Sequence, residues 1–116
     1  MGEDKLYNLS TVKEFVGDDQ EQINGLVIIF VEDVPEMLKN LNESLEESNM
    51  DNLKFYAHKL KSSIDLFQVN DLYDLIRDLE DNAKNETNKD LIPEQVETVN
   101  YVLQSVMAQL KSDFEV

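Results

Sequence analysis

The chain has one histidine, His58, in the stretch KFYAHKLKSSIDLF at residues 54–67. Lys54 precedes it by four residues, Lys59 and Lys61 follow it, and no carboxylate lies within six residues on either side. A neutral imidazole has a free nitrogen lone pair and can attack phosphorus. The phosphoryl group so formed, at about −2, would gain from nearby ammonium groups and a hydroxyl donor. Lys61 at i+3, Lys54 at i−4 and Ser62 at i+4 are the residues expected to stabilise it.

Other chemistries are poorly served. With one histidine and no cysteine, only scattered carboxylates remain for a metal, and no DxDxDG calcium loop is present, so no metal site is expected. A nucleophile–base pair needs a second group within hydrogen-bond reach, and no neighbouring carboxylate is placed to orient His58. Glycine occurs three times and no GxxxxGKS loop exists, which argues against a nucleotide site or a kinase activity of its own. A phosphoryl group would therefore have to arrive from another protein. No cofactor is expected.

Charge narrows the partners. The chain carries 25 acidic and 10 basic residues, for a net charge of −15. Such a polyanion repels nucleic acid and anionic lipid, so neither is an expected partner. The start, MGEDKLYNLS, lacks the apolar core of a signal peptide, and the longest apolar run, LVIIFV, is too short to span a bilayer. A cytoplasmic location is expected, and the lack of cysteine fits a reducing compartment.

The elements that must position His58 read as helices throughout, since proline and glycine are scarce and no strand-like alternation appears. Ser10 is the expected N-cap of a short first helix ended by Gly17. Asp18 or Asp19 starts a long second helix to about Ser48, in which Pro35 should introduce a kink or brief break. Asn49 or Asp51 caps a third helix ending near Phe67. Residues 71–85 form a fourth, residues 83–90 a loop, and Pro93 begins the last helix. The expectation is an all-α fold: an antiparallel up-down four-helix bundle with an additional short N-terminal helix, as one domain over residues 1–116.

On the third helix Leu53, Tyr56, Ala57, Leu60, Ile64 and Phe67 share one stripe. At about 100° per residue, Leu60 is roughly 160° round the axis from His58, so His58 points outward. Phe55, Lys59, Asp65 and the off-stripe Ile28 are candidates for a partner-docking surface. Burial of Ile28 and Ile29 under the first helix by Leu9, Val12 and Phe15 is the alternative for those two.

AHKLKSS followed by the DLYDLIRDLE helix resembles the histidine-containing phosphotransfer (HPt) domain family, whose pattern is H-x-L-K-G-S-S, a leucine–glycine pair, and an amphipathic helix ending near L-E. His58, Leu60, Lys61, Ser63, Leu79 and Glu80 match it in order and spacing. Ser62 stands where the family has glycine, and Phe67–Gln68 replaces the leucine–glycine pair, which puts the turn after the third helix in question. The resemblance implies that His58 takes a phosphoryl group from a receiver-domain aspartate and passes it to another receiver, with Lys61 steadying the phosphate. The implied partners are receiver domains of a hybrid histidine kinase or a response regulator. A non-catalytic helical adaptor that binds a receiver domain or another signalling partner without phosphotransfer is the alternative. A monomer is expected, because each bundle buries its own stripe.

Overall fold

The computed structural model describes residues 5–116; residues 1–4, the start of the stretch read for a signal peptide, lie outside the described residues. Five α-helices follow in order: α1 (Ser10–Val16), α2 (Gln20–Glu46), α3 (Met50–Leu66), α4 (Tyr73–Asn85) and α5 (Ile92–Phe114). Short 3-10 turns, Asn70–Leu72 and Lys89–Leu91, lead into α4 and α5. Each of α2 to α5 packs on its chain neighbour, and α5 closes the ring against α2, while α1 lies on α2. The seam between α3 and α4 is therefore opposite the seam between α2 and α5. This is the four-helix bundle with a short extra N-terminal helix that the periodicity predicts.

The core follows from the spacing of three and four. Ile23, Val27, Phe30, Val34, Leu38 and Leu41 of α2 face Leu53, Ala57, Leu60 and Ile64 of α3, with Ile76 and Leu79 of α4 and Val99, Leu103, Val106 and Leu110 of α5. Fully burying each Leu, Ile or Val contributes about 1.5–3 kcal/mol, which is what holds the seams together. Phe30 and Phe67 pack across the core with their rings tilted by 49° and centroids 4.6 Å apart.

Helix starts divide into expected and unexpected cases. Asp19 accepts from the backbone N–H groups of Glu21 and Gln22, and Asn49 accepts from that of Asn52, as N-cap side chains do. Ser10 is not a cap: it is the first residue of α1, and the Asn8 side chain accepts from both its N–H and its hydroxyl. The fourth helix begins at Tyr73 rather than Asp71, because the 3-10 turn intervenes. Residues 83–85 remain helical rather than opening the loop. Pro35 does not break α2, which runs on to Glu46. It sits on the exposed side, where water can bond the Val31 carbonyl that loses its helical donor.

α1 ends on Gly17 (φ 70°), as expected, but α2 and α3 end without glycine. After α3, Gln68 adopts φ 49°, its N–H bonds Asp65 O, and the Val69 N–H bonds Ile64 O at 2.9 Å. This pair of bonds is a Schellman ending, which normally favours glycine at the left-handed position. Ser48 (φ 53°) ends α2 in the same way, with the Asn49 N–H bonded to Ser44 O. Gln68 has a use for its side chain: its Oε1 accepts the Thr11 N–H at 3.2 Å, while Phe67 O accepts the Asn8 N–H at 2.8 Å. The turn that closes α3 thus also holds the start of α1.

Among the described residues, no helix is long and apolar enough to cross a membrane.

Candidate functional site

Burial of Leu53, Ala57, Leu60 and Ile64 turns the opposite face of α3 to solvent, and the His58 side chain is 61% exposed. The neighbouring helix α4 is seated by Ile76 and Leu79. Glu80 follows Leu79 directly and so emerges at the edge of the same seam. Its side chain is only 18% exposed, and its carboxylate lies between two side chains of α3. Glu80 Oε1 accepts from Lys61 Nζ at 2.7 Å, and Glu80 Oε2 is 2.9 Å from His58 Nδ1.

Chemistry fixes the roles in that second contact. An ionised carboxylate can only accept, so Nδ1 carries the proton and donates it. The neutral ring then has its lone pair on Nε2, the nitrogen away from Glu80. Glu80 is held in its ionised form: burial alone would raise its pKa, but the hydrogen bonds from Lys61 and His58 outweigh this and bring it below its ordinary value.

Glu80 corrects the expectation that no carboxylate is placed to orient His58. A window along one helix could not find it, because it comes from α4. The signal was in the sequence all the same, as the Leu79–Glu80 end of the matching pattern.

The cations differ from expectation. Lys61 stands beside His58, but its ammonium is engaged by Glu80 rather than free. Lys59 lies over the Phe55 ring, 5.1 Å from its centroid. Lys54 is half-buried and makes no ion pair among the described residues, and Ser62 is exposed one turn beyond the histidine. The ring of free positive charge around His58 is thinner than spacing alone implies.

The docking candidates are placed as follows. Phe55 is 50% exposed one turn before His58 and meets Tyr56 edge-on. Ile28 and Ile29 are exposed, and Val12 is the α1 residue that is buried. Phe15 points out, so the burial of these isoleucines beneath α1 does not occur. Asp65 is not a free surface carboxylate, because its Oδ2 accepts from Arg77 Nη2 at 2.8 Å. Arg77 also donates to Tyr73 O at 3.0 Å and lies 3.7 Å above the Tyr73 ring. Sequence reasoning missed Arg77 and Tyr73, whose roles appear only when α4 is laid on α3.

Among the described residues, no group of three or more histidine, cysteine, aspartate or glutamate side chains comes together that could hold a metal. A groove of about 580 Å³ runs along the α2–α5 seam past Pro35, Lys39, Asn42 and Gln104 and shares no residue with the histidine site.

A family model, that of the Hpt domain, matches residues 25–113. No curated protein and no solved structure matches the chain.

Proposed function

The chain belongs to the Hpt domain family, whose members are histidine phosphocarriers of two-component signalling rather than enzymes, and on that premise we propose that His58 is the phosphorylated residue of a multistep phosphorelay. Nε2 attacks the phosphorus of a receiver-domain aspartyl phosphate. The N–P bond forms, the P–O bond to the aspartate breaks, and the electron pair leaves on the aspartate carboxylate. Nδ1 keeps its proton, so the phosphorylated ring is cationic, and the adjacent Glu80 carboxylate balances that charge. The reverse step delivers the group to a second receiver.

Lys61 acts on the phosphoryl oxygens, either by turning from Glu80 or by sharing its three N–H donors between them. Lys54 and Ser62 border the same face and supply charge and a hydroxyl donor. Phe55, Lys59 and Ile28 form the surface that meets the receiver, with Asp65 at its edge. Positioning and charge stabilisation are what phosphoryl transfer chiefly requires, and a ring fixed on a packed helix supplies the first.

The observation that carries this reading is the exposed His58 ring held through Nδ1 by Glu80 at 2.9 Å, which leaves Nε2 to solvent. Its test is label transfer from a phosphorylated receiver domain to the chain and to its His58→Gln variant. Acid-labile, alkali-stable label on the first alone is expected. Equal labelling of both contradicts the assignment, and a stable complex without label favours the adaptor.

A further inference from the structure

Arg77 sits one turn before Glu80 on α4, and Asp65 one turn beyond Lys61 on α3. Neither hydrogen-bonds to His58. Building on the phosphocarrier reading, the geometry points to the Asp65–Arg77 pair as positioning residues for His58, acting through Glu80.

The two ion pairs across this seam have opposite polarity. α3 supplies the cation Lys61 and then the anion Asp65, while α4 supplies the anion Glu80 and the cation Arg77. Sliding α4 by one turn in one direction would set Lys61 against Arg77. Sliding it in the other would set Asp65 against Glu80. Like charges meet either way, so the crossed pairs favour the observed register alone. Leu60, Ile64, Ile76 and Leu79 fix the coarse packing of the seam from inside. The crossed charges act on its outer edge, where the Glu80 carboxylate must meet a ring nitrogen.

Stability does not account for the Asp65–Arg77 pair. Half-exposed ion pairs contribute little, and Asp65 Oδ1 is buried with no hydrogen-bond partner. The guanidinium is nevertheless held on three sides, by Asp65 Oδ2, Tyr73 O and the Tyr73 ring. A planar fork stacked on an aromatic ring sets an orientation that a point charge does not.

The test is the double variant Asp65→Leu/Arg77→Leu, labelled with phosphoramidate in place of a receiver. In that reaction Nε2 forms the N–P bond, the donor's P–N bond breaks, and its already protonated amino group leaves as ammonia. Helical content and melting temperature are expected to hold, since apolar replacement of such a pair is commonly neutral. The labelling rate is expected to fall on the order of tenfold through misplacement of the orienting carboxylate. In the unphosphorylated chain, imidazole nitrogen NMR should show a mixture of tautomers where the parent shows the Nδ1–H form. Unchanged rate and unchanged tautomer overturn the inference. Should the double variant fail to fold, Arg77→Lys keeps the charge without the fork and is read by the same two measures. If the parent chain itself takes no label, the phosphocarrier reading falls, while the tautomer comparison still decides the positioning role.

Discussion

Glu80 is 22 residues from His58 in the chain and 2.9 Å from it in space. One carboxylate oxygen faces the imidazole and the other accepts from Lys61, so on the proposed role of His58 one residue both orients the ring and holds a neighbouring ammonium.

Removing that carboxylate should separate its two tasks. In Glu80→Gln the amide oxygen still accepts from Nδ1 but the charge is gone, and labelling of His58 is expected to slow severalfold. In Glu80→Ala the ring also loses its acceptor, and a reduction of about tenfold, or ~1.4 kcal/mol in the barrier, is expected. Single-turnover labelling checks the order. Parent-like rates in Glu80→Ala would mean that the contact is incidental.

Lys61→Ala leaves Glu80 with His58 as its one side-chain partner among the described residues. Transfer should slow and the phosphorylated form should hydrolyse faster, because the dianion loses a neighbouring ammonium. Far-UV circular dichroism should be unchanged, since Lys61 lies outside the buried stripe. A parent-like rate and lifetime would remove the lysine from the site.

The lowered pKa of Glu80 has a sign that acid titration can read. Burial opposes ionisation, but the bonds from Lys61 and His58 outweigh it and hold the folded value below the ordinary 4.5. The unfolded chain thus binds the proton more readily. The stabilisation is complete above 4.5 and is lost as pH falls through the folded value. Melting temperatures of the parent should therefore drop more steeply below pH 4.5 than those of Glu80→Gln. Parallel curves would contradict the shift.

Gln68 offers a separate test of how the bundle end is built. Gln68→Ala keeps the left-handed backbone and loses the Thr11 bond, so a loss of about 0.5–1.5 kcal/mol is expected. Gln68→Gly also removes a backbone cost of about 1–2 kcal/mol, at an entropic cost of about 0.5–1 kcal/mol in the unfolded chain. The glycine variant should equal or exceed the alanine variant in urea unfolding. An alanine variant as stable as the parent would show that the clasp on α1 contributes nothing.

The helices and the outward face of His58 were legible in the sequence because both depend on spacing within one element. Asp19 and Asn49 were readable as caps for the same reason: a cap bonds to its own first turn. Helix ends were harder, since Ser48 and Gln68 take the left-handed conformation usually marked by glycine. Ser10 does not cap α1, because it is itself helical: its N–H and hydroxyl go to the Asn8 side chain, and the Thr11 N–H goes to Gln68 at the far end of α3.

The chemistry of the site divides along the same line. His58, Lys61 and Ser62 lie on one helix, so their placement relative to one another could be read by counting. The Glu80 contact, the Asp65–Arg77 pair and the stacking of Arg77 on Tyr73 depend on how α4 lies against α3. Local charge counting also overstated the free cations, because it could not see Lys61 turn to Glu80 or Lys59 settle over Phe55.

The central claim is that Nε2 of His58 takes the phosphoryl group while Nδ1 keeps its proton against Glu80. Imidazole nitrogen NMR of the phosphorylated chain reads both facts at once. Coupling to phosphorus at Nε2 together with a proton on Nδ1 is the expected result. Phosphorus on Nδ1, or an unmodified His58 in a chain that carries phosphate elsewhere, would contradict it.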